Sequence, residues 1–161
     1  MTYDNEVSIT MRAQSQNEAF ARVAAASFVA PLDPLLNDLT DIKTAVSEAV
    51  TNAIIHGYEN KEGYVFLTFR RHGQVIYVTV TDEGVGIEDI KQAMTPLYTS
   101  KPELERSGMG FTVMQTFMDH IDVISAPGRG TTVEMYKTIV RQGYPSGLNS
   151  MFSSRGNAGE R

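Results

Sequence analysis

Glu48 and Asn52 stand four residues apart in SEAVTNAIIHGY and would face the same way on a helix. A carboxylate beside an amide suits nucleotide chemistry. The amide oxygen can complete a Mg²⁺ shell, and the carboxylate can take a proton from a nucleophile. An ordinary solvated helix face accounts for the same spacing. The neighbours on that side are Thr44, Ala45, Ser47, Thr51 and Ile55, small or apolar where a free surface favours long charged side chains, so the face is expected to be covered.

A second cluster is TDEGVGI, which places Asp82 at the end of a strand with Gly84 and Gly86 just beyond. A simple chain reversal explains the glycines. The chemical alternative is a carboxylate that accepts from the exocyclic amine of a base, with glycines that let backbone and ring come close. A third is SGMGF, where Gly108 and Gly110 would leave amide groups exposed at a helix N-terminus, a place that favours an anion such as phosphate. Lys101 and Arg106 precede it in KPELER and could supply positive charge, although a solvated charged loop has the same composition. In GRGTTVEMY, Thr131 and Thr132 open a strand, which β-propensity explains without a ligand.

These residues need elements to hold them. Alternation from Glu6 to Met11 predicts a strand, and helical spacing through Phe20, Val23, Ala24 and Phe28 predicts a helix that Pro31 stops. A second helix is expected over Leu35 to Ile55, with Leu39, Ile42, Val46, Val50 and Ala53 as its stripe and Gly57 as its stop. Strands at Gly63 to Arg71 and Gln74 to Thr81 would meet in a hairpin at His72 and Gly73. A long stretch from Gly84 to Ser107 comes next, with one helical turn near Asp89 to Met94; a loop of that length is usually functional or disordered. A third helix from Gly110 to Asp119 and strands at Ile121 to Ser125 and Thr131 to Ile139 complete the pattern. The fold class expected is α+β, a two-layer sandwich with a mixed, mostly antiparallel sheet and helices on one face. One domain over residues 1–140 and a disordered tail over 141–161, rich in Gly, Ser and Asn, are the expected divisions.

Composition removes several classes of function. The 161 residues contain no cysteine, which excludes disulfides, thiolate zinc sites and thiol nucleophiles and fits a cytoplasmic protein. A net charge of −5 gives no basic stripe for direct nucleic-acid binding, and no segment reads as a signal peptide or a membrane span. The Walker pattern and G-x-x-G extension of a dinucleotide fingerprint are absent, and the three histidines are isolated from one another. His56 reads as a helix-end residue.

Taken in order, a Glu-x-x-x-Asn helix, a strand ending in D-x-G-x-G, a loop closing on G-x-G-F and a strand opening with G-T-T resemble the ATP-binding domain of gyrase and histidine kinases, the Bergerat or GHKL fold. SEAVTNAIIHGY, DEGVGI and PELERSGMGFTVM more closely resemble the anti-sigma serine kinases of endospore-forming bacteria that act on sporulation sigma factor F; the likeness covers about residues 4–140. That resemblance implies ATP and Mg²⁺ as cofactors, with Asn52 on the metal, Glu48 as general base, and Asp82 reading adenine in a pocket shaped by Gly84 and Gly86. Thr131 would support the base through a water. An ATP lid would run from about Thr95 to Ser107 and include Thr99, Ser100 and Lys101. Arg106 would reach the γ-phosphate, and the backbone around Ser107, Gly108, Met109, Gly110 and Phe111 would hold the phosphates. The implied partners are the sigma factor, an anti-anti-sigma protein phosphorylated on serine, and a second copy of the chain in a homodimer formed through the first strand and helix. Glu18 and Arg22 match partner contacts, and an i,i+4 ion pair explains them equally. The stress-response anti-sigma kinase is a less close match, and a sigma-sequestering module without useful transfer is an alternative. A histidine-kinase catalytic domain fits least, because no acceptor-histidine helix precedes the motifs and Glu48 stands where those kinases carry Asn or His.

Overall fold

Alternating core positions build the sheet of the computed structural model, which describes residues 1–96 and 110–143. The strands are β1 (Asn5–Arg12), β2 (Tyr64–His72), β3 (Val75–Asp82), β4 (His120–Ser125) and β5 (Thr131–Thr138), in spatial order β1-β2-β3-β5-β4. All four pairings are antiparallel, which sharpens the mostly antiparallel sheet expected. Val65, Leu67 and Phe69 on β2 and Ile76, Val78 and Val80 on β3 point to one face and are buried. Each such side chain contributes about 1.5–3 kcal/mol on burial. Asp82 continues the inward parity of β3, and Thr131, its partner in register, does the same on β5.

Three helices cover that face: α1 (Gln16–Val29), α2 (Leu36–Asn52) and α4 (Gly110–Phe117), while a single turn, α3 (Ile90–Ala93), lies in the β3 to β4 connection. Ile42, Val46 and Val50 on α2 meet the core with Ala21, Ala25 and Phe28 of α1 and Met114 of α4. The α2 stripe is wider than the expected one, because Ala45 and Ala49 are buried too. Both α1 and α4 pack against α2, so its small-residue side is covered as anticipated. Among the described residues no helix is long and apolar enough to cross a membrane.

Three details depart from expectation. The hairpin between β2 and β3 turns at Gly73 and Gln74, since His72 still pairs with Val75; Gly73 supplies the positive φ of 57°. The α-helix ends at Asn52 and not at Ile55, and residues Ala53–Gly57 form a π-turn closed by Tyr58 N–H donating to the Ala53 carbonyl at 3.0 Å. Past residue 140 the chain is still attached, with Arg141 bridged to Pro34 and Gln142 N–H donating to the Asp33 carbonyl. The expected tail from 144 onward lies outside the described residues.

Lys137 ties three elements together at the end of the sheet away from Asp82. Its Nζ donates to the Phe117 carbonyl at 3.0 Å, closing the C-terminus of α4, and lies 3.7 Å from both Asp38 and Asp41 on α2. The ammonium is largely buried, so its loss strands a carbonyl and two like charges. Lys137→Met is expected to lower stability by about 2 kcal/mol, read as a lower urea midpoint with an unchanged slope.

Candidate functional site

The π-turn brings the end of α2 and the end of β3 together. A π-turn inserts one residue into the helical ladder and so redirects the chain beyond it. Here it delivers Gly57 against Asp82: a Cβ added to Gly57 would lie 2.6 Å from the Asp82 carboxylate. A Cβ on Gly84 would meet the Gly57 carbonyl at 2.0 Å, and one on Gly130 would meet the Asp82 carbonyl at the same distance. Gly86, at φ 74°, packs its Cα against the Ala126 carbonyl, where a Cβ would also come within 2.0 Å. Four glycines thus form a close-fitting seat around one carboxylate and the turn after it.

Asp82 is 5% exposed. Burial raises its carboxyl above the ordinary aspartate value, and backbone donors at Gly84 and Thr131 pull it partly back. Gly84 N–H donates to Oδ1 at 2.9 Å. Beside it a hydroxyl chain is organised by Ser125, whose Oγ donates to the Gly130 carbonyl at 2.9 Å, accepts from Ile87 N–H at 2.8 Å and lies 2.8 Å from Thr131 Oγ1. A carboxylate so held can accept from an amine that enters from the open side.

That open side is a cavity of about 1070 Å³, lined by Asn52, Asp82, Gly86, Thr131, Gly110 and Phe111 among others, with Val80 and Val133 as apolar wall. The volume suits a nucleotide-sized ligand. At its other wall α4 begins against α2: a Cβ on Gly110 would lie 3.1 Å from both Nδ2 and Oδ1 of Asn52 and 3.2 Å from Oε2 of Glu48. Glu48, Asn52 and the first residue of α4 are therefore in one place, and glycine at position 110 permits the approach.

Asn52 and Gly110 line one wall, with Glu48 beside Gly110, and Asp82, Gly86 and Thr131 line the other, where Gly84 N–H donates to Asp82. Thr99, Ser100, Lys101, Arg106, Ser107, Gly108 and Met109, with most of the expected lid, lie outside the described residues. Glu18 and Arg22 lie on α1, where they form the i,i+4 ion pair at 2.8 Å, and Glu18 also accepts a hydrogen bond from Ser47, the neighbour of Glu48. Gly57, Tyr58, Ser125 and Gly130 also contribute to the site; the first two close the SEAVTNAIIHGY motif and Gly130 opens G-T-T, but neither motif gives them a role, and Ser125 lies in none. Gly57 reads in the sequence as a helix stop, and Ser125 precedes a turn.

Gly57→Ala should show how tightly the seat fits. The added methyl must displace the Asp82 side chain, and overpacking of this kind costs about 1–3 kcal/mol. The expected result is a lowered melting temperature together with weaker binding of whatever Asp82 holds, compared with wild type by thermal scan and calorimetry.

Comparisons with known proteins give the family. A model of the histidine kinase-like ATPase domain matches residues 9–137. An anti-sigma F factor of Clostridium kluyveri is 61% identical over 135 residues, covering 84% of this chain and 95% of that protein. One from Bacillus subtilis strain 168 is 57% identical over 134 residues, covering 83% and 92%. Among solved structures, the RsbU and RsbW domains of a Mycobacterium tuberculosis protein superpose with a TM-score of 0.61 at 19% identity, over 85% of this chain and 32% of that one. The catalytic domain of the histidine kinase ThkA gives 0.52 at 16% identity, over 84% and 96%. Both of these structural likenesses concern the fold alone.

Proposed function

Since the chain belongs to the histidine kinase-like ATPase family and, within it, to the anti-sigma F factors, we propose that it inhibits sporulation sigma factor F and uses ATP to phosphorylate a serine of an anti-anti-sigma protein. The observation that carries this reading is the convergence of Glu48 and Asn52 on Gly110, where Asn52 and Gly110 line the cavity that Asp82 also lines. One end can hold a base and the other the phosphates.

Asp82 accepts from the adenine amine, Val80 and Val133 flank the ring, and Thr131 with Ser125 supports the ring edge through an ordered water. At the phosphate end the amides that open α4 receive the anion. Among the described residues no group of three or more acidic or histidine side chains could hold a metal. A single amide, Asn52, suits Mg²⁺, which keeps several waters and is bound largely by substrate phosphates. Bound there, Mg²⁺ would neutralise charge on the phosphates. Glu48 takes the proton of the incoming serine hydroxyl as the γ-phosphoryl group is transferred in line, and Arg106 offsets charge on the transferring oxygens. Catalysis is thus positioning and electrostatics.

Glu18 and Arg22 are the proposed partner contacts, and their link to Ser47 joins that patch to the helix bearing Glu48. The homodimer is supported by β1, an edge strand that bears exposed Val7, and by exposed Phe20 and Val23 on α1.

The test is incubation of the full chain with labelled Mg·ATP and the anti-anti-sigma protein of the same organism, with phosphoserine read by mass spectrometry and sigma factor F captured in parallel. Phosphate on one serine and ATP-dependent capture of the sigma factor are the expected results. Capture with bound ATP and no transfer would leave a sequestering module in place of a kinase.

A further inference from the structure

Beyond the residues already given roles, one hydroxyl controls where the β2–β3 ladder stops. Hydrogen-bonded pairs in an antiparallel hairpin recur at every second position. Counting from the His72 and Val75 pair that closes the turn, Tyr64 and Glu83 would form the next such pair after Phe66 and Thr81. In place of a direct bond between them stands the phenol of Tyr58. Glu83 N–H donates to Tyr58 Oη at 2.8 Å, and Tyr58 O–H donates to the Tyr64 carbonyl at 2.5 Å. The hydroxyl satisfies both backbone groups while holding the strands apart.

The wedge is set from two sides. Tyr58 is the residue that closes the π-turn, and its ring lies against Gly63, where a Cβ would come 2.3 Å from Cε1. The carbonyl of the residue before it, Gly57, accepts from Val85 N–H at 2.9 Å. Consecutive residues of one turn therefore hold Glu83 and Val85, the two neighbours of Gly84, and Asp82 sits directly before them. Gly57 itself lies against the Asp82 carboxylate at this point.

We infer that Tyr58 is a specificity-determining positioning residue: its hydroxyl ends the ladder one pair early and thereby sets the Asp82 carboxylate at the angle that distinguishes an amine-bearing purine from a carbonyl-bearing one. The inference rests on the reading of this cavity as an adenine-nucleotide site. Without the hydroxyl, Glu83 N–H is free to bond the Tyr64 carbonyl directly, which draws the turn towards β2 and moves Asp82 off its seat on Gly57. The ring and its apolar contacts stay.

Calorimetric binding of ADP and IDP to the full chain tests this, because the two ligands differ where Asp82 reads the base. Wild type is expected to prefer ADP. In Tyr58→Phe the ADP affinity should fall about tenfold and the IDP affinity should change by less than about twofold, so that the preference collapses. Gly63→Ala displaces the ring while keeping the hydroxyl and should collapse it too. Binding is measured below the melting temperature found for each protein, which separates selectivity from lost fold. A wild-type ADP to IDP ratio in either folded variant, even with both ligands weakened, would overturn the role of Tyr58. A wild type that binds both ligands equally would instead remove the adenine reading itself, and the inference with it.

Discussion

Glu48→Gln is expected to bind Mg·ATP and sigma factor F as the wild type does and to transfer phosphate to the partner serine about two to four orders of magnitude more slowly. The substitution is nearly isosteric, which matters because Glu48 Oε2 lies close to the start of α4: a Cβ on Gly110 would sit 3.2 Å from it. A larger change would move α4 and disturb the amides that receive the phosphates. Glutamine keeps the shape and removes only the ability to take a proton. Nucleotide affinity, measured by calorimetry, should therefore separate from single-turnover transfer, measured by mass spectrometry of the partner. A variant that still transfers at the wild-type rate would assign the hydroxyl proton to another acceptor and reduce Glu48 to a packing residue beside Asn52. Equal losses in affinity and rate would mean instead that the carboxylate helps to hold the nucleotide.

Much of the scaffold around that pair could be read from the chain because its signals are local. The i,i+4 spacing of Glu48 and Asn52 needs only a helix, and the periodicity of α2 provides one. The strand parity of Ile76, Val78 and Val80 extends to Asp82, so a buried carboxylate at the strand end was already written in alternate positions. The features that could not be read depend on contacts made across the fold. The π-turn at Ala53–Gly57 obeys no 3.6-residue period, and it exists where Gly57 meets Asp82 and the Val85 amide. Tyr58 looks like one more aromatic after a glycine until its hydroxyl is seen between Tyr64 and Glu83, partners that sequence places far apart. Ser125 precedes a Pro-Gly turn and has no motif, yet it joins Ile87, Gly130 and Thr131. Glycine shows the same division: Gly84 and Gly86 announce a turn, but that Gly57 and Gly130 complete the seat depends on how four separate segments pack.

Asp82→Asn should have the largest effect on nucleotide binding and should also remove a pH dependence. Gly84 and Thr131 both present backbone donors to the carboxylate, so an asparagine NH₂ would face either one of them or the incoming amine of the base. A hydrogen bond to a charged acceptor contributes about 1.5–3 kcal/mol, so ADP affinity is expected to fall by roughly 10- to 100-fold. The pH dependence originates in burial, which raises this carboxyl above its ordinary value in the folded chain. Between the ordinary aspartate pKa and the raised one, the native state holds a proton that the unfolded state has lost. The contribution of Asp82 to the stability of the ligand-free protein is thus complete below that window and declines as pH rises through it. Nucleotide affinity moves the other way across the same window, since only the ionised carboxylate accepts freely from the amine. Denaturant midpoints and ADP affinities taken in parallel from acid to neutral pH should show opposing slopes in wild type, and both components should be missing from Asp82→Asn. Parallel slopes, or slopes unchanged by the substitution, would place the titrating group elsewhere. Opposing slopes would mean that the fold holds the base-reading carboxylate at a cost in stability, which bound nucleotide then offsets.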